Sequence, residues 1–382
     1  MTRRRSSLRP NHTARWAALL CLVLSTPLTA QRTVRESTAE WRAATPLRLV
    51  EERRWCADSA AAGCEFREIV GAITLADGGV VATGVMGPIH QFAADGRFER
   101  TLGRKGRGPG EYGFVVGLNQ TPDGRLTWFD NTQMRIASIA LDGTPGPVRA
   151  VTPPQSMAMM WMRGVDLVVL DIPAAASLGD TVTASYLVPA ASGTPRVLAR
   201  VRAGAIFLPN TNMLAPMGTF APRIVSDVGP AGDIVHGFGS RYALEVFPAV
   251  GDPWRLIVDA PVRKVTAAEH DSATAVVLKS FRAASVASLP PTVRAALENR
   301  RSEFPPLVAT KVVRDGTIWI RPVTAPGAAR ARWDLFSRDG RRVGRVELPL
   351  SSLVLDGTLA WVLVSELGGD DTPQVVRYRL GR

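Results

Sequence analysis

The residues of this chain best suited to chemistry fall in one short stretch. Glu111, Asn119, Asp130 and Asn131 offer carboxylate and amide oxygens, the donors that a hard cation such as Ca2+ prefers. Arg107 adds a guanidinium fork that fits oxyanions, and Tyr112 adds a phenol. These six are the candidate binding residues. Catalysis finds less material. His90, His236 and His270 lie too far apart in sequence for paired metal ligation, and His236 sits in the strand-like run Ile234–Phe238, where a structural role is simpler. No G-x-S-x-G elbow and no C-x-x-C-H haem motif occurs. The glycine-rich segment 103–110 lacks the Gly-Lys-Ser/Thr end of a P-loop and reads as a tight crossover. Asp370-Asp371 reads as a solvated turn. We therefore assign no catalytic residue, no metal site and no cofactor.

The start of the chain bears on where such groups would work. Arg3, Arg4, Arg5, Arg9 and Arg15 precede or border the apolar run 16–24, which is too short to span a bilayer. This pattern predicts an export signal over 1–30, cleaved before Gln31, and a periplasmic or extracellular protein. A flexible lead-in over 31–45 and one domain over 46–382 are expected to follow. Cys21 follows Leu20 within the apolar run and is not read as a lipid anchor.

The segment 1–30 holds five arginines and no acid, so its removal lowers the formal charge of +12 to +7. The arginines that remain are scattered among acids, with no basic stripe and no interleaved stacking aromatics, which argues against a nucleic-acid partner. At 46% hydrophobic and 21% charged residues, the composition is that of a globular protein. In an oxidising compartment Cys56 and Cys64 are expected to form a disulfide. So short a loop contributes about 2–3 kcal/mol in the chain-entropy model.

The elements that must position the candidates are written as repeats. Asp-Gly pairs, which favour tight hairpin turns, start at positions 77, 95, 123, 142, 315, 339 and 356. Apolar and β-branched runs flank nearly all of them. Equivalent turns recur 46, 47 and 41 residues apart, the period of a four-stranded β-meander. Six units follow: 66–102, 114–151, 156–201, 221–258, 306–348 and 351–380. Gly164 and Ser192-Gly193 replace the turns of the third, and Ala231-Gly232 serves the fourth. Trp128, Trp319 and Trp361 stand at one height in three units and read as core.

The sixth unit shows three strands, and segment 47–54 is the natural fourth. The fold class is therefore all-β: a six-bladed β-propeller of four-stranded antiparallel blades, closed by an N-terminal strand. Glu111 then stands where the chain enters the inner strand of the second blade. It either lines the central channel or pins its loop through backbone N–H groups. Residues 266–301 break the pattern with a capping box at Thr266 and Glu269, helical spacing of Ala275, Val276, Leu278 and Phe281, and a stop at Pro290-Pro291. This is a short helical insertion between blades four and five. Its simplest role is to cover apolar propeller surface; a lid or docking role is the alternative.

The segment Leu102-Gly103-Arg104-Lys105-Gly106-Arg107-Gly108-Pro109-Gly110-Glu111-Tyr112 carries a G-x-G-P-G-E-[FY] pattern. With Pro122-Asp123-Gly124-Arg125-Leu126 and the segments 333–341 and 375–380, it resembles the bacterial secreted six-bladed β-propellers of NHL-like type. The resemblance implies a fold and hardly a function, because propellers host many unrelated activities. The expected function is an exported, non-catalytic binding or scaffold module, a monomer that meets a protein, peptide or glycan of the cell envelope. The alternative is a divalent-cation hydrolase or lactonase at the channel mouth, with Ca2+ as its cofactor.

Overall fold

Six of the seven Asp-Gly pairs form hairpin turns. Their glycines adopt φ between +82° and +96°, and in four of the turns the aspartate Oδ1 accepts from the N–H two residues on. That local bond and the left-handed glycine reverse the chain within two residues. The exception is Asp356-Gly357, which lies inside a strand; the reversal comes later, at Thr358–Ala360.

The computed structural model describes residues 31–152, 159–172, 181–189, 194–204, 220, 222–298, 300–325 and 327–381. The export signal and Cys21 lie outside them, as does the expected turn at Ser192-Gly193. The described strands form six four-stranded antiparallel blades arranged as a propeller. Blade 1 spans 71–101, blade 2 115–150, blade 3 159–204, blade 4 224–258, blade 5 307–349 and blade 6 353–381. Middle strands such as Val80–Thr83 and Leu126–Asp130 are buried on both faces because each blade is packed between two others. Trp128 packs with Ile73, Val81 and Ile89 of blade 1, whereas its neighbour Phe129 packs with Met162, Leu167 and Val169 of blade 3.

Blade 6 takes its outer strand from the N-terminal side. Arg48–Trp55 pairs antiparallel with Pro373–Gly381, which closes the ring and leaves the two chain segments adjacent. Trp55 donates its indole N–H to the Ala93 carbonyl of blade 1 at 3.0 Å. Cys56 and Cys64 are joined by a disulfide, buried beside Trp55, Phe66 and Phe92 at that same junction.

The lead-in over 31–45 is not a flexible tail. Arg32–Glu36 adds a fifth strand to blade 4, parallel to Trp254–Val258. Helix α1 (Thr38–Ala43) follows, with a capping box between Ser37 and Glu40. The cause is a buried ionic cluster that local sequence does not announce. Asp334, fully buried, accepts from the Trp41 indole at 2.9 Å, the Tyr242 hydroxyl at 2.7 Å, Arg332 at 2.6 Å and Arg342 at 3.0 Å. Arg342 also pairs with Glu36, and Arg332 stacks over Trp41 at 3.9 Å. Two cations meet two anions, so the cluster is neutral and its members compensate one another's desolvation.

The insertion forms α2 (Ala267–Phe281), capped by Thr266 and Glu269, and α3 (Pro291–Glu298). It does not mainly cover blade surface. Leu289, Val293 and Leu297 pack with Val277, Leu278 and Phe281 into a small core made of the insertion's own residues.

Candidate functional site

Glu111 pins its loop. Its carboxylate accepts from the Gly108 N–H and from Arg104 Nε, both at 2.7 Å. The Gly108 N–H and then Arg104 hold it below the usual carboxylate range. Asp130, fully buried, accepts from the N–H groups of Gly113 and Phe114, from Thr132 and from Gln133. Arg135 donates to the carbonyls of Arg107, Gly108 and Glu111. Gly103 must be glycine: at φ +69°, an added Cβ would lie 2.2 Å from the Gly110 oxygen. Tyr112 is a buried core residue set edge-on to Trp128, Arg107 is exposed, and Asn131 is half-buried. Of the six candidates, Asn119 alone lines the central cavity.

That cavity has a volume of about 280 Å³ and lies toward the carboxyl ends of the inner strands. The loop 103–114 leads into the start of an inner strand, so it lies on the opposite face. Three alternate blades reach across the channel wall from the same height. In blade 2, Asn119 donates to the Met162 carbonyl of blade 3 at 3.4 Å. In blade 4, Asp227 accepts from the Val312 N–H of blade 5 at 2.7 Å. In blade 6, Asp356 accepts from the Thr74 N–H of blade 1 at 3.3 Å. The inner strand is an edge strand with one row of unpaired backbone groups, and these side chains occupy part of that row. Gly117, at φ +64°, permits the close approach of blade 3, since a Cβ there would meet the Met162 nitrogen at 2.7 Å.

Both carboxylates are matched by cations of blade 5: Lys311 with Asp227 at 3.3 Å, and Arg314 with Asp356 at 2.5 Å. Burial pushes the Asp227 carboxyl up, while Lys311 and the Val312 N–H pull against it. The rest of the lining is apolar or amide, including Leu118, Gln120, Met160 and Trp161. Among the described residues, no three of His, Cys, Asp and Glu gather where they could hold a metal ion. Asp227, Asp356 and Lys311 were not among the candidates. The signal of the two aspartates is the fourth place of the inner strands Ile224–Val228 and Leu353–Gly357, visible once the repeats are aligned on each other; Lys311 stands fifth in Leu307–Val312.

The three histidines among the described residues are held by partners within the fold. His236 Nε2 faces the Arg202 carbonyl at 3.2 Å, so it carries the proton, and Nδ1 accepts. Tyr186 donates to Ser226 at 2.7 Å, and the Ser226 hydroxyl lies 2.9 Å from Nδ1. This chain of bonds is satisfied between blades 3 and 4, and burial pushes the imidazole pKa down. His90 sits between Glu65 and Thr101, and His270 faces the Arg301 carbonyl.

No protein-family model matches the chain, and no curated protein matches it in sequence. Solved structures do. A member of the DUF4221 family from Bacteroides vulgatus superposes with a TM-score of 0.50 at 13% identity, over 87% of this chain and 98% of that one. A Bacteroides fragilis protein named as a candidate for export gives 0.48 at 11% identity, over 92% and 99%. The calcium-binding protein regucalcin from Agrobacterium tumefaciens gives 0.41 at 12% identity, over 89% and 97%. At such identities a likeness speaks to the fold alone. No helix of the described residues is long and apolar enough to cross a membrane.

Proposed function

We propose that this propeller is an exported binding module that takes a segment of an envelope peptide or glycan into its central cavity, without catalysis. One observation carries the reading. Asp356 in the cavity wall and Asp227, next to the lining residue Val228, are each engaged by a backbone N–H of the next blade and by a cation, so they serve as staples. What remains for a ligand is Trp161, two methionines and the part of the Asn119 and Gln120 amides not spent on Met162, Gly124 and the Gln120 N–H, groups that suit an uncharged polar chain. The volume admits one residue or sugar ring of a longer ligand.

The divalent-cation hydrolase reading needs converging oxygen ligands. Glu111, Asn119 and Asp130 instead turn to separate partners. Export rests on the arginine-rich and apolar start, and the NHL-like kinship on the loop over 102–112.

The test is a crosslinking pull-down of the exported protein from its envelope, followed by titration of the recovered ligand. Asn119→Ala and Trp161→Ala are expected to weaken binding about ten-fold or more. Lactone or ester hydrolysis that is abolished by a chelator would overturn the reading. Mass spectrometry should find the mature N-terminus near Gln31; an intact exported chain would count against the signal.

A further inference from the structure

A second cavity, of about 530 Å³, opens on the face opposite the central cavity, beneath the stalk of the helical insertion. The legs of the stalk, 260–265 and 301–306, are tied together. Val265 donates its N–H to the Ser302 carbonyl at 3.0 Å, and Phe304 donates to Arg263 at 2.9 Å. Pro261, Pro305 and Pro306 in the wall fix the backbone there. The cleft is therefore shaped by tied and stiffened chain.

Its charge is one-sided. Five arginines line it against two acids, Asp259 and Glu303. Both acids are already paired, Asp259 with Arg35 at 3.0 Å and Glu303 with Lys264 at 2.5 Å. Arg255 is engaged by Glu245 at 3.0 Å. Arg263 pairs with Glu269 and stacks on Phe304 at 3.8 Å. Arg241 and Arg301 are left with no side-chain hydrogen bond or ion pair among the described residues.

We propose that this cleft is a second binding site, for a small organic polyanion whose oxyanions bridge Arg241 and Arg301. A guanidinium presents paired N–H donors that match a carboxylate or a phosphate bidentately. Two free forks in one walled cleft of ligand size favour a molecule with two such groups over a single ion. The carboxylates of an acidic sugar and the phosphates of a phosphorylated metabolite share this chemistry.

The experiment is calorimetric titration of the full chain with trigalacturonate, citrate and inorganic pyrophosphate. It is run at about 0.15 M salt, where long-range attraction is screened. At least one probe is expected to saturate at one molecule per chain. The double variant Arg241→Gln, Arg301→Gln is expected to lose about ten-fold or more in affinity. The charge-matched control Arg48→Gln, Arg67→Gln removes two other exposed arginines and should lose little. Preference for trigalacturonate or for pyrophosphate tells the carboxylate source from the phosphate source. Asn119→Ala, in the cavity on the other face, should leave the titration unchanged, which separates this site from the peptide or glycan site. Failure of every probe to saturate, or equal losses in both double variants, overturns the proposal.

Discussion

The loop over 103–114 and the cleft beneath the insertion lie on the same face of the propeller, and each is rich in arginine. They differ in what their polar groups have left to give. Around the loop, Glu111 and Asp130 are turned to backbone N–H groups and Arg135 to three carbonyls, while Arg107, exposed and without a side-chain partner among the described residues, lines neither cavity. In the cleft the acids run out before the arginines do, and Arg241 and Arg301 remain open. A saturated group holds the fold, while an open one beside a cavity has something to offer a ligand. Residue type alone does not separate the two cases, because the loop carries the more suggestive residues.

The largest test of that contrast is Asp130→Ala. It leaves several donors of one loop without an acceptor, so stability should fall by about 3 kcal/mol, read by denaturant melts. Binding of anions in the cleft should not change in the surviving native fraction. Next comes Asp356→Ala, which frees the Thr74 N–H and Arg314. Arg314 is 41% exposed, so solvent offsets much of its lost partner, and the cost should be about 1–2 kcal/mol. Because Asp356 is already engaged by Thr74 and Arg314, ligand affinity in the central cavity should change little in the surviving native fraction. A loss of affinity as large as that of Asn119→Ala would show that Asp356 meets the ligand as well and is more than a staple.

Acidification probes the saturated side in another way. Burial lowers the pKa of His236 in the native state, so the unfolded chain binds the proton more readily. Its contribution is present in full above the ordinary histidine value of 6.5 and declines as pH falls below it. His90 is shifted in the same direction by burial, partly opposed by Glu65. Melting temperature should therefore drop between about pH 6.5 and 5, above the ordinary carboxylate range, with Asp227, pushed up by burial, acting in the opposite direction. His236→Gln should flatten that limb, and an unchanged slope would remove His236 from the account.

The architecture is legible in the sequence because a hairpin turn is a local event. An Asp-Gly pair needs only its own four residues, so blade boundaries from the repeats agree with the observed strands to within a few positions, except at the start of blade 1, where the strand begins at Gly71. The site is far less legible because its contacts join distant residues. Asp227 meets Val312 and Lys311 more than eighty positions away, and Asp356 meets Thr74 across 282. Asp356 was further disguised by standing in an Asp-Gly pair, where the turn reading is the natural one. The order of segment 32–43 was hidden for the same reason, since Trp41 is held by Asp334 from blade 5.

The smallest expected effect decides the contrast most directly. Arg241→Gln with Arg301→Gln removes no hydrogen bond and no ion pair among the described residues, and both side chains are exposed. Surface changes of this kind usually stay within about 0.5 kcal/mol. The melt of this variant should therefore overlay the parent. A group that holds the fold cannot be removed at no cost, and a group that only holds a ligand can. If the melt shifts by as much as that of Asp356→Ala, the two arginines belong with Glu111 and Asp130 as structural groups. If it does not shift while affinity for the polyanion falls, the cleft and the loop are opposite uses of the same residue type.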